Sequence, residues 1–185
     1  VYLDYATGSG FNQINFQIPF EVPPGVVRVQ VERNGQVGNS ASLRVSTAAP
    51  RLLRLGIGDY GILVNQDGSF PIPRTPGVNS RPAKAGEVLV IYAIGLGRTT
   101  PAVPTGAPAP NAEPLARVEP LPRIYIGGGL SPVAAHPIFV GQSPNFVGLY
   151  QMNVIVPGNT PPGSLVPVFI EQDGAVSNTV YIAIE

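Results

Sequence analysis

Strict alternation of polar and apolar residues opens the chain. In Gln13-Ile14-Asn15-Phe16-Gln17-Ile18 every second side chain is apolar, the pattern of a strand with one buried and one wet face. Residues 1–5 read as its partner strand across a Thr7-Gly8-Ser9-Gly10 turn. Alternation returns with Val27, Val29 and Val31 on one side and Arg28, Gln30 and Glu32 on the other. Asn34-Gly35 then predicts a tight hairpin turn, and residues 42–46 run back. Residues 48–80 differ: Leu52, Leu53, Leu55 and Ile57 precede Gly58-Asp59-Tyr60-Gly61, Ile62-Leu63-Val64 and a second turn at Asn65-Gln66-Asp67-Gly68. This predicts an apolar β-hairpin and a connection broken by Pro71, Pro73 and Pro76. Residues 86–94 form an apolar run whose β-branched content favours a covered central strand over a buried helix. Five prolines between 99 and 114 predict an extended surface loop. Short strands follow at 123–126 and 133–140, around Gly127-Gly128-Gly129.

The last 36 residues, 150–185, repeat the start of the chain. Residues 150–157 answer 12–19, an offset of 157 − 19 = 138, and Pro161-Pro162-Gly163 answers Pro23-Pro24-Gly25 at the same offset. After one inserted residue, Asp173-Gly174 answers Asn34-Gly35 and Asn178 answers Asn39, an offset of 178 − 39 = 139. Many short strands between turn signals, without helix-period patterns, predict an all-β chain of tandem immunoglobulin-like antiparallel sandwiches. The expected division is an incomplete half-module at 1–47, a hairpin and proline-rich connector at 48–80, and a complete sandwich at 81–185.

The first module is incomplete because strand-bearing residues 81–137 precede the second copy and have no counterpart before the first. If Val1 stands opposite Ile138, 137 − 81 + 1 = 57 residues are missing there. A half-sandwich exposes apolar faces and open strand edges, which isolated proteins avoid. Three accounts of the seam stand side by side. The chain is a piece of a longer one, another subunit adds the strands, or residues 48–80 fold back over the first copy. The candidate interface is Val27, Val29 and Val31 in the first copy with Leu53, Leu55, Ile62 and Val64 in the apolar hairpin.

Composition narrows the partners. Eleven basic and eleven acidic residues leave no net charge, so neither nucleic acid nor insertion into a membrane is expected. No run approaches the roughly 18 apolar residues of a spanning helix, and any export signal has been removed or lies upstream. Gly and Pro number 22 each, yet 44% hydrophobic content in strand-length runs argues against disorder. Without cysteine, neither a disulfide nor a thiolate metal site forms.

Candidate chemistry is thin. His136 is the sole histidine, so a multi-histidine metal site is excluded, and no Gly-x-Ser-x-Gly elbow supports a triad. Gly56-Ile57-Gly58-Asp59-Tyr60-Gly61 lacks the following helix that a nucleotide loop needs. Asp59, Asp67, Glu171 and Asp173 are calcium candidates, but Asp67-Gly68 and Asp173-Gly174 are turn formers. Seven tyrosines offer a sugar surface without any Trp, and strand packing accounts for most of them.

Several ordered motifs resemble a known family. Asn65-Gln66-Asp67-Gly68-Ser69, Ala85-Gly86-Glu87-Val88, Tyr92-Ala93-Ile94-Gly95-Leu96-Gly97, Gly148-Leu149-Tyr150-Gln151-Met152-Asn153-Val154 and Ser177-Asn178 together are similar to the Solibacter-type C-terminal domain. The likeness covers about residues 48–185, with a preceding half-module at 1–47. It implies an exported immunoglobulin-like domain from the ends of large acidobacterial secreted proteins, without catalytic residues or cofactor. Residues 60–64 are more apolar here than in typical members, which suits an interface. The expected function is structural: an extracellular or cell-surface module, or a filament subunit, that self-associates or joins neighbouring immunoglobulin-like modules by strand complementation. The alternative is a glycan-binding accessory domain of a larger secreted protein; a hydrolase lacks any convergent acid, base or nucleophile.

Overall fold

The structure, a computed structural model, describes residues 3–8, 11–128 and 132–185. Among these residues it is all-β with antiparallel sheets and no helix, so none is long and apolar enough to cross a membrane. Strands β1 (Leu3–Gly8) and β2 (Phe11–Phe16) form one hairpin. Thr7 and Gly8 end β1; Ser9 and Gly10 of the expected turn, like Val1, Tyr2 and Gly129, lie outside the described residues. Strands β3 (Gly25–Val29) and β6 (Ala41–Val45) form a second pair, extended by the short β4 (Glu32–Arg33) and β5 (Gln36–Val37). Asn34 and Gly35 join β4 to β5 with φ of 52° and 77°, the two positive angles of a type I′ turn.

The remaining strands make one large curled sheet. In chain order they are β7 (Arg51–Leu52), β8 (Leu63–Asn65), β9 (Val88–Ile94), β10 (Thr99–Thr100), β11 (Arg117–Val118), β12 (Arg123–Ile126), β13 (Val133–Gln142), β14 (Tyr150–Ile155), β15 (Gly163–Gln172), β16 (Ala175–Val176) and β17 (Val180–Ile184). The order is β16–β15–β12–β13–β14–β9–β7, with β17 also on β15, β8 also on β9, and the β10–β11 pair on β13. Residues 48–80 therefore supply β7 and β8 to this sheet, rather than folding over the first copy.

The sheet curls because β13 serves two neighbours in turn. Its residues 133–135 pair with β12, and residues 136–142 pair with β14. A register shift between Pro137 and Phe139 separates the two halves and turns Ile138 outward. Such a bulge bends a strand and lets it pass from one sheet face to another. Inside the curl, Leu89, Ile91 and Ala93 of β9 alternate with half-buried Val88, Val90 and Tyr92. The expected central strand is thus fully buried on one face and half covered on the other.

The far ends of the curl meet. The free edge of β17 takes parallel bridges from Tyr60 to Tyr181 and from Ala83 to Ile184. Gly61 N donates to the Tyr181 carbonyl at 3.1 Å, and Ala83 N to the Ala183 carbonyl at 2.8 Å. A charged cluster locks the same corner. Arg81 Nε donates to Asp67 Oδ2 at 2.6 Å, and its two terminal nitrogens take the two oxygens of Glu87. Asn65 at the end of β8 donates to the Arg81 carbonyl at 3.1 Å.

The Arg81 guanidinium holds both carboxyls below the usual carboxylate range, and Ser69 reinforces the effect at Asp67. A carboxyl lowered on folding stabilises the fold above its unfolded pKa, and that share is lost as pH falls below about 4. Asp67 is half exposed and screened, so most of the effect belongs to Glu87. Arg81→Met is expected to cost about 2 kcal/mol at neutral pH by stranding Glu87. The difference from the parent should shrink towards pH 3; a difference that persists there assigns Arg81 a purely packing role. Thermal unfolding against pH measures it.

Candidate interface on the opening half-module

Two copies of one design can be compared strand by strand. In the first, Gly25 pairs with Val45, Val27 with Leu43 and Val29 with Ala41. In the second, Gly163 pairs with Ile184, Val166 with Ile182 and Val168 with Val180. The β4–β5 pairing of Glu32 with Val37 recurs as Glu171 with Val176, and the Gly38 N to Val31 O bond of 2.8 Å recurs as Ser177 N to Ile170 O at 2.9 Å. Asp173 and Gly174 repeat the turn with φ of 50° and 77°. The hairpin β1–β2 repeats the second half of β13 and β14, because Asp4 faces Asn15 as Phe139 faces Asn153.

Equal register goes with opposite burial. Ile14, Phe16 and Ile18 are 37%, 41% and 38% exposed, while their counterparts Met152, Val154 and Val156 are fully buried. Val31 is 50% exposed, and Ile170 fully buried. Val27 and Val29 are half-buried, whereas Val166 and Val168 are buried. Positions that face outward in the second copy do not differ: Val26 and Leu165 are both open, as are Val37 and Val176. Among residues 14–47 none is buried.

The cause lies in the missing neighbours. In the second copy β12 stands between β13 and β15, joining them into one sheet. No strand occupies that place beside β1 and β3 among the described residues, so the two hairpins stay separate sheets. The outer edge of β14 is covered by β9, and among the described residues β2 has no such strand partner. A two-stranded hairpin of this length is marginal in water without further strands or a covering layer.

Of the seven candidate interface residues, Val27, Val29 and Val31 lie on or beside β3. Leu53, Leu55, Ile62 and Val64 lie elsewhere, in the corner of the large sheet. Leu53 N donates to Tyr92 O, Ile62 N to Leu53 O and Leu55 N to Tyr60 O, and Val64 pairs with Val90. All four are half-buried there.

Sequence reasoning noticed the recurring asparagine but not its work. Asn178 Oδ1 accepts from Leu52 N at 2.8 Å and its Nδ2 donates to Leu52 O at 3.1 Å, so one carboxamide stands in for a neighbouring strand at the backbone of β7. Asn39, its counterpart, lies exposed. Reasoning also missed the joint between the modules. The proline-rich segment is not all surface: Val103 and Ala109 are buried, Gly106 N donates to Gln17 Oε1 at 2.8 Å, and Thr105 Oγ1 receives Phe20 N at 3.0 Å. Arg98 donates to the Phe20 carbonyl and lies 5.7 Å over its ring. Gly95, at φ +79°, lets the connection approach closely: a Cβ there would stand 2.1 Å from the Ala49 carbonyl oxygen.

The other chemical candidates disperse. Asp59 pairs with Arg54, Asp67 with Arg81 and Glu171 with Arg123, and among the described residues no three acidic or histidine side chains are placed to hold a metal. His136 is exposed on β13. Tyr150 is buried with its hydroxyl on the Gly97 carbonyl, and burial pushes the phenol up to about 12. Tyr60, Tyr92, Tyr125 and Tyr181 are half-buried. Comparison with protein-family models, curated proteins and solved structures yields no match.

Proposed function

We propose that this chain is a structural β module of a secreted or cell-surface protein, whose opening half is completed by strands of a neighbouring module. The observation that carries the reading is the pairing of equal register with opposite burial across the two copies. In this reading the second module is an immunoglobulin-like sandwich whose long strand β13 serves both faces, and the chain is a relative of the Solibacter-type domain. The mechanism is strand addition: main-chain hydrogen bonds along open edges give affinity, and burial of alternate side chains gives register.

Hydrogen exchange on the chain at two or more concentrations tests the proposal. The amides of 25–29 and 41–45 are expected to exchange at least about a hundredfold faster than those of 88–94 and 150–155 in dilute solution, since they open without breaking a core. Equal protection of both sets in a monomer would show that the opening half is already complete, and the proposal would fall.

A further inference from the structure

We infer that the open edge beside Val31 and the carboxamide of Asn39 are the receptor for a strand set built like residues 48–135, carried by the polypeptide on the N-terminal side of β1. The inference rests on the structural reading above and names the partner of that same surface.

The second copy shows what occupies each place. Its β12 lies against β15 with Ile124 facing Ile170 and Tyr125 facing Phe169. At the offset of 139 those positions are Val31 and Gln30, so an incoming strand meets the edge at 29–32. Its alternate residues Ile124 and Ile126 are buried, as the apolar faces of Val29 and Val31 require. The clamp follows from the same correspondence. The Gly38–Val31 bond holds the loop before Asn39 as the Ser177–Ile170 bond holds the loop before Asn178. Asn39 therefore holds the position from which Asn178 meets the backbone of Leu52, a residue 1% exposed within the sheet. An amide side chain suits this role because it offers one acceptor and one donor to a single residue's N–H and C=O.

Covalent continuity selects the source. In the second copy β12 leads into β13, and β13 crosses from β12 to β14 in one unbroken strand. Strand β1 repeats only the crossing's far half, so the chain entering β1 from its N-terminal side is placed to carry both the near half and the β12-like strand. A detached donor would have to give up the pairing these strands make with their own β14 and β15.

The experiment joins a second copy of residues 48–135 ahead of Val1. In this extended chain, the amides of Gln30 and Glu32, whose counterparts Phe169 and Glu171 stand opposite Tyr125 and Arg123 of β12, are expected to exchange at least about tenfold more slowly than in the unextended chain. Asn39→Ala is expected to reverse that protection by about tenfold in the extended chain, and to change nothing in the unextended one. Asn39→Asp, similar in size but without the amide donor, should behave as Asn39→Ala does. Unchanged exchange on extension overturns the receptor, and an Asn39 variant without effect in the extended chain overturns the clamp. Protection that instead arises in the unextended chain on raising its concentration overturns the covalent source. None of these results coincides with protection in a dilute monomer, which is the outcome that removes the structural reading itself.

Discussion

Replacing Ile170 by Ala is expected to remove roughly 3–4 kcal/mol of unfolding free energy, whereas replacing Val31, its counterpart in the first copy, shifts it by less than about 0.5 kcal/mol. Both residues follow the same hairpin register, and both sequences alternate in the same way. The difference is the surroundings. Ile170 is fully buried between β12 and the β16–β17 side of the sheet, so deleting three carbons leaves a cavity as well as losing transfer energy. Val31 has half its surface in water and no layer above it to leave a void. Met152→Ala and Ile14→Ala form a second pair with the same expected contrast. Urea unfolding followed by circular dichroism measures both, with the denaturant slope checked for constancy between variants. Equal losses within either pair would mean that the opening half has a core of its own, and the seam would not exist.

Much of this fold was legible because its information is local. Alternation over 13–18 and 27–32 fixes which faces are apolar, and Asn34-Gly35 and Asp173-Gly174 fix two turns by backbone angle alone. The offsets of 138 and 139 set the two copies side by side, and Ile14 and Met152, which match at that offset, differ in burial at 37% and 0% exposed. What stayed hidden involves partners far apart in sequence. The parallel bridge between Tyr60 and Tyr181 closes the sheet without any periodic trace in residues 59–61. The apolar character of Leu53 and Ile62 suggested a surface for a partner, yet their backbones are taken up by one another and by Tyr92. Proline content likewise marked 99–114 as lacking a central strand, but says nothing about burial: Ala109 N bonds to the Phe146 carbonyl and its side chain lies inside. At Pro137 the bulge shifts the register of β13, so alternation before and after that residue does not describe one face.

The asparagine at the closing corner takes both polar groups of one backbone residue. Asn178→Ala is expected to cost about 3 kcal/mol, because it removes two hydrogen bonds and leaves both the N–H and the C=O of Leu52 without the partners that a strand would supply. Leu52 is 1% exposed, which limits how far water can replace the lost carboxamide. Asn178→Asp separates the two bonds. Its carboxylate still accepts from Leu52 N but no longer donates to Leu52 O, and it sets negative charge against that carbonyl, so its loss should equal or exceed that of Ala at neutral pH. Protonating the introduced carboxyl restores a donor, and the aspartate variant should recover part of its deficit relative to the parent as the pH is lowered towards 4. Thermal unfolding of the three proteins across that range reads the sequence of stabilities directly. An alanine variant as stable as the parent would show that β7 is held by β9 alone, through Arg51 with Ile94 and Leu52 with Ala93, and that the carboxamide only fills space.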